Sequence, residues 1–198
     1  MNVAIVKLSS IGDVVHALPV AAALKRHEPR TRITWVAEAR EATLLTDHPD
    51  VDAVIVADTR GWRRAGHRRA AVRAFVATAR ALRAARCDVA LELQGLMKSA
   101  VFAALTRAPR RLGFARGFGR EWPSAVFTTE RVRPPDSARH VVEQYLALLT
   151  PLGVAAPAVD FHMPVDHEAE ARADAILDTA GIKPGDRLVL VNPGVSVS

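Results

Sequence analysis

The 198-residue sequence predicts an α/β fold built on a doubly wound, mostly parallel sheet. Three observations predict it. The continuous apolar run VAIV at 3–6 reads as a strand buried on both faces, and VDAVIV at 51–56 and DVALEL at 88–93 read as further strands. Segments with apolar residues at helical spacing separate them, which implies right-handed crossovers between parallel strands. Polar residues then gather directly after the strands, where ligands bind in an open parallel sheet.

Taken in order, Val3–Lys7 is the first strand, and a helix follows from about Val14 to His27. Pro19 lies inside that helix, so either it kinks or its regular part begins near His16 with the proline in the first turn. Arg32–Ala37 is a second strand, Arg40–Asp47 a short helix and Val51–Val56 a third strand. An alanine- and arginine-rich helix is expected over His67–Ala85. Asp88–Leu93 is a fourth strand, Met97–Thr106 a helix, Arg111–Phe114 a fifth strand, and a sixth is expected around Ala125–Thr128. Ser137–Leu149 is an amphipathic helix. This is a Rossmann-like pattern, expected over residues 1–155.

After Pro151 the texture changes. LGVAAPAVDFHMP suits a connecting segment, Glu168–Thr179 a helix ended by Gly181, and Arg187–Asn192 a fresh strand. Residues 156–198 are therefore expected to be a linker, a helix and the first strand of an incomplete second domain, the chain being the front part of a longer protein.

Net charge is +6, which favours an anionic partner. The positive charge is clustered: from Thr59 to Cys87 there are nine arginines and no acid, and from Arg107 to Arg120 five more, again with none. Arg68, Arg69, Arg73, Arg80, Arg83 and Arg86 read as solvated helix faces in an arginine-biased composition. A single cysteine, Cys87, excludes an internal disulfide and a cysteine-cluster metal site. No apolar stretch approaches the ~18 residues of a membrane span, and the N-terminus has no secretory pattern, so the expected location is the cytoplasm.

The loops after the strands carry the chemistry. They are Lys7-Leu-Ser-Ser-Ile-Gly-Asp13, Asp58-Thr-Arg-Gly-Trp-Arg-Arg64, Gln94-Gly-Leu-Met-Lys98-Ser99 and Arg116-Gly-Phe-Gly-Arg120. They place the Asp13 carboxylate among many cations on one rim. Asp13 fits a helix N-cap as well as it fits a base, and Gly12 fits a turn as well as a close approach to ligand. Lys7, ending a buried strand, must reach solvent or an anion. Gln94 could satisfy backbone groups at its turn, and Arg60, Arg63 and Arg64 could form a solvated loop. No GxGxxG, Walker A, HExxH or GxSxG pattern occurs, so dinucleotide, P-loop, zincin and serine-hydrolase chemistry lack support. What remains is a carboxylate able to take a proton from a substrate hydroxyl, surrounded by groups that hold anions.

VKLSSIGDVVHALP, LELQGLMKS and RHVVEQY together resemble glycosyltransferase family 9, over nearly the whole chain. RGWRR and Arg120-Glu121 look more like the first of that family's lipopolysaccharide heptosyltransferases than the second. The resemblance implies the N-terminal half of a GT-B fold and inverting, metal-independent transfer of heptose from ADP-heptose to Kdo of Kdo2-lipid A. It implies no cofactor, no nucleic acid, and peripheral contact with the cytoplasmic face of the inner membrane. Asp13 would be the general base. Lys7, Ser10, Arg60, Arg63, Arg64, Gln94, Lys98 and Arg120 would line the acceptor site, and Ser9, Gly12, Asn192 and Gly194 the donor site. NPGVSVS departs from the family pattern, and the chain is expected to transfer no heptose unaided. The alternative expectation is a catalytically incomplete binder of anionic lipid A and Kdo head groups.

Overall fold

The computed structural model describes residues 1–64, 68–154, 157–164, 166–183 and 185–191, the side chains at 62–64, 68 and 122 excepted. Six strands, β1 (Asn2–Val6), β2 (Arg32–Ala37), β3 (Ala53–Val56), β4 (Val89–Glu92), β5 (Arg110–Phe114) and β6 (Glu130–Val132), form one sheet in the order β3-β2-β1-β4-β5-β6. Every neighbouring pair is parallel.

Alternate residues of β1 feed two cores, as a strand covered on both faces requires. Val3 and Ile5 pack with α1 (Ile11–His27) and α6 (Val141–Ala147), through Leu18, Leu24, Val142 and Leu146. Ala4 and Val6 point the other way, to Leu82 of α4 (Arg68–Ala84) and Phe102 of α5 (Met97–Leu105). Burying a leucine such as Leu18 or Leu82 contributes about 1.5–3 kcal/mol, so the two cores together fix both helical layers. Two shorter helices, α2 (Ala39–Ala42) and α3 (Thr59–Arg64), follow β2 and β3. The chain divides into two compact units, Met1–Met163 and Pro164–Ser198. In the second, α7 (His167–Thr179) begins at Asp166, whose side chain accepts from the Ala169 amide over 2.9 Å.

The structure corrects several expectations. Helix α1 begins at Ile11, three residues before Val14, because Asp13 bonds back to the Ser10 amide and caps the first turn. It runs through Pro19, which is packed in the core. Ala125–Thr128 is not a strand. Trp122–Phe127 is a 3₁₀ helix with Pro123 in its first turn, and the sixth strand is Glu130–Val132. The expected helix at Ser137 starts only at Val141, capped by His140. Arg187–Val191 forms no strand: among the described residues no neighbour pairs with it, and Val189 and Leu190 are exposed.

Candidate functional site

Parallel pairing brings the C-terminal ends of β1, β2, β4 and β5 to one rim. Backbone bonds then lock the first loop there. The Glu38 amide donates to the Leu8 carbonyl and the Leu8 amide to Gln94 Oε1, over 2.9 and 2.8 Å. Gln94 is buried, and its side-chain oxygen serves the backbone of the first loop.

Asp13 sits one turn into α1. Its Oδ2 accepts from the Ser10 amide and hydroxyl, both at 3.1 Å. Its Oδ1 lies 3.6 Å from Lys7 Nζ and 3.7 Å from an Arg120 guanidinium nitrogen. Partial burial opposes ionisation of Asp13, but the Ser10 amide, the Lys7 charge, the Ser10 hydroxyl and the Arg120 charge outweigh it. They hold its carboxyl below the usual carboxylate range. The side chain remains 20% exposed.

Lys7 does not reach solvent. It is 1% exposed, and its ammonium donates to the Tyr145 hydroxyl at 2.7 Å and the Leu93 carbonyl at 3.3 Å. Burial pushes its pKa down to about 8, with Asp13 opposing that shift. The same burial raises the Tyr145 phenol, keeping it neutral. Lys7 is therefore a cation built into the floor of the site, acting on Asp13 from behind.

Arg120 is delivered by a close approach of two loops. Gly95 has φ +69°, and a Cβ there would lie 2.9 Å from both the Arg120 nitrogen and the Gly119 Cα. The Glu121 amide donates to the Gly95 carbonyl at 2.8 Å, and the Glu121 carboxylate accepts from the Met97 amide at 2.7 Å. Beneath this turn, Glu92 accepts from the Ser99 hydroxyl at 2.6 Å and from the Gln94 and Gly95 amides. Burial raises its pKa despite those donors.

The other expected cations form a separate group. Lys98 Nζ lies 2.8 Å from Glu38 Oε1 and 3.0 Å from Thr59 Oγ1, and Thr59 also donates to Glu38. Arg60 pairs with Glu41 at 3.3 Å. Burial works against the Glu38 charge, but the Lys98 and Thr59 bonds prevail and lower its pKa. Asp13 is thus not a lone acid on the rim. The signal for Glu38 and Glu41 in the sequence is their position directly after the second strand, at the same rim as the other loops. Tyr145 gives no such signal, reading as an ordinary apolar-face aromatic of its helix.

Ser9 is half-buried, and Gly12 is exposed with open space where a Cβ would stand. Arg63 and Arg64 have only their backbone described, on α3; Asn192 and Gly194 lie outside the described residues. Among the described residues, no group of three or more His, Cys, Asp and Glu side chains is placed to hold a metal ion, and no helix is long and apolar enough to cross a membrane.

The sequence model of glycosyltransferase family 9 (heptosyltransferase) matches residues 75–197. The chain belongs to this family. It is similar to the lipopolysaccharide core heptosyltransferase OpsX of Haemophilus influenzae, 24% identical over 179 residues, covering 89% of this chain and 48% of the relative. Lipopolysaccharide heptosyltransferase 1 of Pseudomonas aeruginosa is 30% identical over 181 residues, covering 88% and 49%. Among solved structures, Escherichia coli heptosyltransferase WaaC with ADP-2-deoxy-2-fluoro heptose superposes with a TM-score of 0.74 at 29% identity, covering 81% of this chain and 51% of that one. A family 9 glycosyltransferase from Veillonella parvula shares the fold, with a TM-score of 0.74 at 22% identity and coverage of 93% and 51%. The first unit is thus the Rossmann-like part of a GT-B architecture, and the family 9 chain described here spans about half the length of the curated relatives it matches.

Proposed function

We propose that this family 9 chain carries the acceptor side of a heptosyltransferase of lipopolysaccharide core synthesis. Asp13 removes the proton from a Kdo hydroxyl of Kdo2-lipid A. The proton leaves as the hydroxyl oxygen attacks the anomeric carbon of ADP-heptose from the face opposite the departing group. As that C–O bond forms, the bond to the β-phosphate breaks and its electron pair leaves on ADP, so the configuration inverts without a metal ion. The site works at the cytoplasmic face of the inner membrane, where the lipid acceptor resides.

The observation that carries this reading is the partnering of Asp13. Ser10 on one oxygen, with Lys7 and Arg120 beside the other, fixes the carboxylate in its charged form, and the side chain stays partly exposed. A carboxylate so stabilised is a weak base at rest. It becomes effective as the acceptor oxygen acquires positive charge in the transition state. Arg120, Lys98 and Arg60 face the same rim and suit the carboxylates and phosphates of the acceptor.

The test mixes this chain with ADP-heptose, Kdo2-lipid A and the separately expressed carboxyl-terminal half of the Pseudomonas aeruginosa relative, following ADP release. Transfer is expected only with both halves present, and Asp13→Ala should lower it by about 10²–10⁴-fold. Equal rates for Asp13→Ala and the native chain would refute the base. Acceptor binding with no transfer in any mixture would favour the second reading, a binder of anionic head groups.

A further inference from the structure

Helix α4 presents a stripe that the site does not use. Its inner face is packed, with Leu82 fully buried and Ala79 nearly so; Phe75 stays 37% exposed at the margin, where it meets Phe102 of α5 with ring centroids 6.4 Å apart. The opposite face carries Arg69, Val72, Arg73, Val76, Arg80 and Arg83, at offsets of 0, 3, 4, 7, 11 and 14 residues. At about 100° per residue these six fall within one band roughly 100° wide. All six are exposed, Val72 at 61% and Val76 at 37%. None of the four arginines makes an ion pair among the described residues, and no acid occurs from Thr59 to Cys87.

We propose that the stripe Arg69-Val72-Arg73-Val76-Arg80-Arg83 docks the chain on an anionic lipid surface. The charge is complementary to such a surface and is not neutralised by an ion pair among the described residues. The two valines sit between the arginines, so aliphatic burial and headgroup attraction act on one face of the helix, as in helices that lie in a membrane interface. The arginine stems can cover apolar surface while their guanidinium groups stay among headgroups. A single-stranded nucleic acid would instead reward aromatic platforms, and the stripe has none. The choice of lipid over other polyanions also rests on the lipid-anchored acceptor proposed above.

The experiment sediments the 198-residue chain with vesicles of phosphatidylcholine alone or with one third phosphatidylglycerol. Neither contains acceptor, so the outcome is independent of the Asp13 test. Partition to the anionic vesicles and release by salt are expected. Replacing all four arginines (Arg69→Gln, Arg73→Gln, Arg80→Gln, Arg83→Gln) should weaken it by about fivefold per residue, roughly 600-fold in total. Because these side chains lie outside the packed face, the circular dichroism spectrum should not change. As a second variant, Val72→Ser with Val76→Ser should lower partition by about tenfold with the salt dependence retained. Equal sedimentation of the four-arginine variant and the native chain overturns the proposal. So does equal binding to neutral vesicles, or tighter binding to single-stranded RNA than to anionic vesicles of matched charge.

Discussion

Lys7 Nζ and the Tyr145 hydroxyl lie 2.7 Å apart, joining the end of the central strand to a helix 138 residues later. The bond gives a buried ammonium one of its few acceptors, and with it the means to stay beside Asp13.

Tyr145→Phe removes that acceptor and leaves the ring. Losing a hydrogen bond to a buried charge should cost about 1.5–3 kcal/mol, read as a lower urea midpoint at pH 7. An unchanged midpoint would mean that the Leu93 carbonyl and Asp13 suffice for Lys7.

Lys7 also predicts an alkaline signature. Its pKa falls from 10.5 in the unfolded chain to about 8 in the folded one. Between those values the unfolded state holds the extra proton, so the Lys7 contribution to stability rises with pH across that window, by on the order of 3 kcal/mol. Lys7→Met should abolish the rise when urea midpoints of the two proteins are compared from pH 7.5 to 10.5. The same substitution removes a positive neighbour and should raise the Asp13 pKa, measured by carbon-detected NMR titration.

Gly95→Ala tests how Arg120 is delivered. The left-handed backbone and a Cβ 2.9 Å from two backbone atoms leave no room without parting the loops. A loss of about 1–3 kcal/mol is expected, together with an upward shift of the Asp13 titration as Arg120 moves away. If stability falls while the titration is unchanged, Gly95 supports the turn without placing Arg120.

Glu38 governs the acid side of the second charge group. Its folded pKa is lowered, so its contribution is intact above the unfolded value of 4.5 and lost as pH falls below it. Glu38→Gln should cost stability at pH 7 and flatten the decline of the urea midpoint between pH 5 and 3. A decline as steep as in the native chain would assign the acid sensitivity to other carboxylates.

Strand β1 is legible because two-sided burial leaves an unbroken apolar run, VAIV. Edge strand β6 is not, since Glu130 and Arg131 carry no such signature and SAVF imitates a strand just ahead of it. The rim residues Lys7, Asp13, Lys98 and Arg120 were found because strand ends collect them by topology. Their pairing was invisible: whether Lys98 turns to Asp13 or to Glu38 depends on where the segment after β2 lies, and that is a three-dimensional fact. The burial of Lys7 was equally hidden, because Tyr145 stands on a helix distant in sequence.

Strand β1 lies mid-sheet, between β2 and β4, although it precedes both in the chain. Its second neighbour is absent until residue 92 has left the ribosome, and the acceptor for Lys7 until residue 145. During synthesis the nascent chain therefore carries an unfinished sheet edge, and Lys7 and Asp13 gain their full set of neighbours only once residue 145 has emerged.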